Sequence, residues 1–137
     1  MDTIKAGDHG STYGGNPLGM AVAQAAISCL VEEGMVENSA KMGALLKSQI
    51  EAINCPLVKE IRGRGLFVGV EFKHDLNVDG NHFAQILRNY GLLAKSTHRY
   101  CVRLSPALVI NEGEIMEAAG IIKSAMSDLE KLNDQKS

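Results

Sequence analysis

Leu66-Phe67-Val68-Gly69-Val70-Glu71-Phe72 decides how this chain folds. Leu66, Val68, Val70 and Phe72 alternate with Phe67, Gly69 and Glu71, so an extended backbone lines one sheet face with the first set and the other face with the second. One such strand needs neighbours and a cover. Upstream, Leu57 to Ile61 is strand-like, with Gly63 and Gly65 supplying the turn between the two. Downstream, Leu92 to Lys95 and Tyr100 to Leu104 read as two more short strands.

The cover comes from helices. Asn16-Pro17 is a good N-cap and first-turn pair, and from Pro17 to Val31 only Gln24 and Ser28 interrupt an apolar run. This first helix has almost no solvent face and is expected to be buried on nearly all sides. Val36, Ala40, Gly43, Leu46, Ile50 and Ile53 recur at helical steps and predict an amphipathic second helix ending before Pro56. Phe83, Ile86, Leu87 and Tyr90 mark a short helix stopped by Gly91. Asn111 with Glu114 resembles a capping box for a last helix carrying Ile115, Ala118, Ile122, Met126 and Leu129, with residues 131–137 polar and expected to fray. The order predicts an α+β fold, a small and mostly antiparallel sheet with helices packed on one side.

The 137 residues suit one folding unit or a piece of a larger one, and a formal net charge of -2 offers no broad positive field for nucleic acid. Cys29, Cys55 and Cys101 lack the paired spacing of a zinc site or disulfide framework, and read as buried thiols in a reducing compartment. His9, His74, His82 and His98 are scattered without an i,i+4 pair, so no metal site is expected. No apolar run is long enough to span a bilayer and no targeting segment is evident, which predicts a soluble protein without membrane contact.

Two places could carry chemistry. In His9-Gly10-Ser11-Thr12-Tyr13-Gly14-Gly15-Asn16-Pro17, glycines allow close backbone approach and two hydroxyls sit just ahead of a helix N-terminus, where anions bind. The same cluster also suits a plain turn capped by its hydroxyls, the commoner outcome for such residues without context. Arg103 falls on the less apolar face of its strand, where solvent is the plain reading and carboxylate recognition through a planar fork of donors is the functional one. Arg62-Gly63-Arg64-Gly65, a single copy between strands, reads as a tight turn without a ligand.

The string HGSTYGGNP resembles the segment that follows the Schiff-base lysine in the ornithine aminotransferases, within the class III pyridoxal-phosphate-dependent aminotransferases. Arg62-Gly63-Arg64-Gly65-Leu66, Gly91-Leu92-Leu93-Ala94-Lys95, Thr97-His98 and Arg103-Leu104-Ser105-Pro106-Ala107-Leu108-Val109-Ile110 follow in family order, so the resemblance covers essentially the whole chain. It implies the C-terminal portion of a fold-type I transferase: residues 1–16 a cofactor-phosphate loop, 17–33 a buried interdomain helix and 34–137 a small α+β domain.

The resemblance further implies that Thr12, with Ser11 beside it, binds the phosphate of pyridoxal 5'-phosphate held by the other subunit of a homodimer with shared active sites. Arg103 corresponds to a substrate-pocket arginine that meets a carboxylate or pairs with an upstream glutamate between half-reactions. The implied substrates are ornithine and a 2-oxo acid, and the implied compartment is the cytoplasm or the mitochondrial matrix. The lysine, aspartate and stacked aromatic that transamination needs lie upstream in the family, and Lys5 is outside the lysine's motif, so the 137-residue chain is expected to be inactive alone. An alternative is a non-catalytic module that associates with itself or with a full-length aminotransferase. Ser96 stands where the family commonly has proline, and Ser105-Pro106-Ala107 where it has Ala-Pro-Pro; both flank Arg103.

Overall fold

The computed structural model describes residues 3, 5 and 7–135. The chain divides into two compact units, Met1–Met35 and Val36–Ser137. In the first, helix α1 (Pro17–Glu32) begins as Asn16-Pro17 predicts: the Asn16 side chain accepts a hydrogen bond from the Gly19 N–H at 2.7 Å, and proline, having no N–H to leave unpaired, fills the first turn. The burial expected of this helix concerns an interdomain setting that the single chain does not supply. None of its residues is buried, and Leu18, Met20, Val22, Ile27 and Val31 are exposed. Cys29 is likewise exposed, whereas Cys55 and Cys101 are the buried thiols expected. Apolar composition states what a helix is able to bury and does not supply the surface that covers it.

The second unit holds α2 (Met35–Ala52, apart from its first residue), β1 (Val58–Arg64), β2 (Phe67–Phe72), α3 (Gly80–Asn89), β3 (Lys95–His98), β4 (Cys101–Leu104) and α4 (Glu112–Gln135). Its sheet has the order β1-β2-β4-β3, with every neighbouring pair antiparallel. The expected α+β architecture is the one observed. Val68, Val70, Phe72, Val102 and Leu104 form the covered face. Leu46 and Ile50 of α2, Phe83 and Leu87 of α3, and Ile115, Ile122, Met126 and Leu129 of α4 join them in one core. Phe72 and Phe83 meet edge to face with centroids 5.1 Å apart. Each large apolar side chain so buried contributes about 1.5–3 kcal/mol, which makes this face the main source of stability.

Three details differ from the sequence reading. Strand β1 runs on through Gly63, at φ 153°, to Arg64, so the turn falls at Gly65 and Leu66. Leu66 is buried at that turn and does not belong to the strand. The strand expected at Leu92–Lys95 starts only at Lys95, because the Leu92 N–H donates to the Leu87 carbonyl at 2.9 Å and closes the end of α3. Helix α4 does not fray from residue 131: it continues to Gln135, with Leu132 packed against the core and the Asn133 side chain accepting the Asn77 N–H at 3.1 Å. Residues 136 and 137 lie outside the described residues. The Asn111–Glu114 capping box is present in both directions, at 2.9 and 3.0 Å. A second box, Asp79 with His82 at the start of α3, was missed because its third-position partner is histidine instead of glutamate or glutamine.

Candidate functional site

The candidate residues fall in different units, Ser11 and Thr12 in the first and Arg103 in the second. In the first, the Gly14 N–H donates to the Ser11 carbonyl and the Asn16 N–H to the Tyr13 carbonyl, both at 3.4 Å, and the Asn16 Nδ2 donates to the same Tyr13 carbonyl at 2.6 Å. Gly15 sits at φ 75°, a conformation that other residues adopt only with strain. A Cβ on Gly14 would stand 3.0 Å from the Ser11 Cβ and 3.2 Å from its Oγ, so Ser11 lies close over that glycine. Ser11 and Thr12 are exposed, and the first turn of α1 holds no acidic residue. Two hydroxyl donors ahead of an unquenched positive helix end make a donor set that fits a phosphate.

In the second unit, the sheet face opposite the core carries the chemistry. Register places Lys95, Arg103, Gly69 and Arg62 in one row across β3, β4, β2 and β1. The two arginines of this row differ in what they meet. Arg62 pairs with Glu71 and, at 3.1 Å, with Glu60, and its Nη2 lies 4.0 Å from the Cys101 Sγ. Glu71 in turn accepts Lys59 Nζ at 2.6 Å on its other oxygen, where His74 Nε2 also stands at 3.3 Å. Hydrogen bonds from Lys59 and then Arg62 hold the Glu71 carboxyl down at about 2 against an ordinary 4.5. Both of its oxygens are therefore charged and taken.

Arg103 has no such partner. It makes no ion pair among the described residues, and its Nε is buried without a hydrogen bond. Its guanidinium carbon lies 5.3 Å from the Phe67 ring centroid. Arg62, Phe67, Gly69, His98, Cys101 and Arg103 border a cavity of about 380 Å³ whose lining includes no carboxylate. An anion entering it meets guanidinium without displacing a resident acid. Arg103 and Lys95 also stand at the rim of an apolar pocket of about 460 Å³ bounded by Leu46, Ile115 and Ile122.

Among the described residues no group of three or more His, Cys, Asp or Glu could hold a metal ion, and no single helix is long and apolar enough to cross a membrane.

The family profile for class-III aminotransferases matches residues 1–126. The chain belongs to the class-III aminotransferase family. It is similar to the ornithine aminotransferase of Brevibacillus brevis, 43% identical over 126 residues, which are 92% of this chain and 31% of that protein. The mitochondrial ornithine aminotransferase of Rattus norvegicus is 44% identical over 126 residues, 92% of this chain and 29% of the relative. Among solved structures, an ornithine aminotransferase from Toxoplasma gondii with partial occupancy of PLP at its active site superposes with a TM-score of 0.83 at 35% identity, covering 97% of this chain and 32% of that one. An acetylornithine aminotransferase from Elizabethkingia anophelis gives 0.78 at 37%, covering 93% and 34%. This class-III aminotransferase chain thus spans about a third of the length of the curated relatives it matches. Class III aminotransferases use pyridoxal phosphate.

Sequence reasoning singled out Arg103 and overlooked its surroundings. The alternation already put Phe67, Gly69 and Glu71 on one face; the missing information was the pairing of β2 with β4, which sets Gly69 against Arg103.

Proposed function

We propose that the chain is the C-terminal part of an ornithine–oxo-acid aminotransferase, which moves the δ-amino group of ornithine to a 2-oxo acid, giving glutamate semialdehyde when 2-oxoglutarate accepts. Residues 1–16 would end the large domain, 17–33 form the interdomain helix and 34–137 the small domain. The observation that carries the reading is Arg103, a partly buried guanidinium with no carboxylate partner beside a cavity free of acids.

In this reading the Ser11 and Thr12 hydroxyls donate to the phosphate of pyridoxal phosphate across the interface of a homodimer. The cofactor supplies an electron sink for the carbon that loses its proton. Arg103 grips a substrate carboxylate through two parallel N–H donors, which fixes orientation as well as charge. Glu71, saturated by Lys59 and Arg62, does not compete for it. Isolated, the chain lacks the cofactor-binding lysine and is inactive. Matrix or cytoplasm are the compartments consistent with the relatives.

The test is the intact mass of the native polypeptide from its own cells together with its turnover of ornithine and 2-oxoglutarate. Turnover by a species several-fold above 14.7 kDa is expected. A long species without ornithine turnover overturns the substrate assignment, and turnover by a 14.7 kDa species overturns the inactivity of the short chain.

One observation favours the second reading, a non-catalytic module that associates with itself or with a full-length aminotransferase: Leu18, Met20, Val22, Ile27 and Val31 of α1 are exposed. That reading requires concentration-dependent association in light scattering, and a monomer at all concentrations removes it.

A further inference from the structure

Arg103 is a long, flexible side chain with no ion pair, yet a substrate-binding arginine has to be held before the substrate arrives. The cross-strand pattern shows what holds it. Gly69, directly opposite Arg103, has no side chain to offer. The diagonal neighbour on the same face is Phe67, and diagonal pairs lie within reach when one member is aromatic and the other long. The guanidinium carbon stands 5.3 Å from the Phe67 centroid, within cation–π range. Phe67 is itself 59% exposed, a large apolar side chain on the uncovered face of the sheet, and burial against the core does not explain it. The other possible holder on this face, Glu71, is occupied by Lys59 and Arg62.

We propose that Phe67 is a positioning residue for Arg103: its ring carries the guanidinium over the cavity beside Gly69 and leaves the N–H fork free for a substrate carboxylate. The proposal rests on the carboxylate-binding reading of Arg103. A ring suits this task better than a carboxylate does. It attracts the cation through its π face without taking up the donors that the substrate needs. Phe67 borders the same cavity, and in this scheme it acts on the substrate carboxylate through Arg103.

The experiment uses the complete native enzyme with Phe67→Leu, Phe67→Tyr, Arg103→Lys, Arg103→Ala and the Phe67→Leu/Arg103→Ala pair. The readouts are the dissociation constant of glutarate, a non-reacting dicarboxylate, by calorimetry, and KM against kcat for 2-oxoglutarate. Phe67→Leu, which keeps apolar bulk and removes the π face, is expected to weaken glutarate and raise KM about two- to five-fold with kcat unchanged, the size of an exposed cation–π contact. Phe67→Tyr restores the native value. In the pair, Phe67→Leu adds less than it does alone, because the effect passes through the guanidinium. Unchanged glutarate affinity in Phe67→Leu, or a full additive loss in the pair, overturns the positioning role while Arg103→Lys still reports on the arginine. Unchanged affinity in Arg103→Lys and in Arg103→Ala overturns the reading of Arg103 beneath it. A Phe67→Leu protein that unfolds more easily but binds glutarate normally shows a structural residue only and also overturns the proposal.

Discussion

Gly43 of α2 and Gly65 of the β1–β2 turn are in direct backbone approach: a Cβ placed on Gly43 would stand 2.1 Å from the Gly65 carbonyl carbon and oxygen. The helix and the turn meet without a side chain between them. The Ser39 Oγ, one turn earlier on α2, accepts the Leu66 N–H at 3.1 Å and pins the same turn.

Gly43→Ala therefore destabilises the chain although alanine is the better helix former by about 1 kcal/mol. The clash is with backbone, which cannot rotate away, and overpacking of this kind costs about 1–3 kcal/mol net of relaxation. A lowered midpoint in urea unfolding is the expected result; a raised midpoint means that α2 shifts freely on the turn.

Acid sensitivity follows from Glu71. Its carboxyl is depressed from 4.5 to about 2 by Lys59 and Arg62, so the folded state binds its proton less readily than the unfolded state does. The stabilisation is present above pH 4.5 and is lost as pH falls towards 2. Glu71→Gln should flatten that limb of the stability curve, measured by thermal unfolding across the range. An unchanged slope assigns the acid response to other carboxylates.

Thiol labelling separates the cysteines. Burial pushes the Cys55 thiol up to about 11, and both Cys55 and Cys101 are buried, whereas Cys29 is exposed. At mildly alkaline pH iodoacetamide is expected to modify Cys29 first, with Cys55 following only at the rate of unfolding. Mass spectrometry of the time course decides it, and early label on Cys55 would contradict its burial in the core.

Asn111→Ala removes the side-chain half of the α4 capping box and should cost about 1 kcal/mol, seen as a shifted unfolding midpoint. Loss of less than a few tenths would show that Glu114 alone caps the helix.

Thr12→Ala in the complete enzyme is expected to weaken cofactor retention by about 1.5–3 kcal/mol, the value of one charge-assisted hydrogen bond, measured by equilibrium dialysis of pyridoxal phosphate. Unchanged retention makes residues 9–16 a turn and nothing more.

Much of this was legible in the residues. Alternation in Leu66–Phe72 gave the faces of β2, and Asn16-Pro17 and Asn111/Glu114 gave two helix starts, because these signals are local. Gly63 read as a turn and proved to be strand, since glycine tolerates both and only the pairing Gly63↔Val68 distinguishes them. The apolar run of α1 was read as buried, a property that depends on what lies beside it. At the site, residue type marked Arg103, but its freedom from Glu71 and its stacking on Phe67 depend on strands that are far apart in sequence.

Strand order has a consequence for synthesis. β4 is the last strand made, yet it lies inside the sheet between β2 and β3. Until Leu104 has left the ribosome, β2 presents an unpaired edge, with Val68, Val70 and Phe72 awaiting their cover. A nascent or truncated chain stopping short of Cys101 would carry that sticky edge permanently, and chaperone capture or aggregation should rise sharply for such lengths.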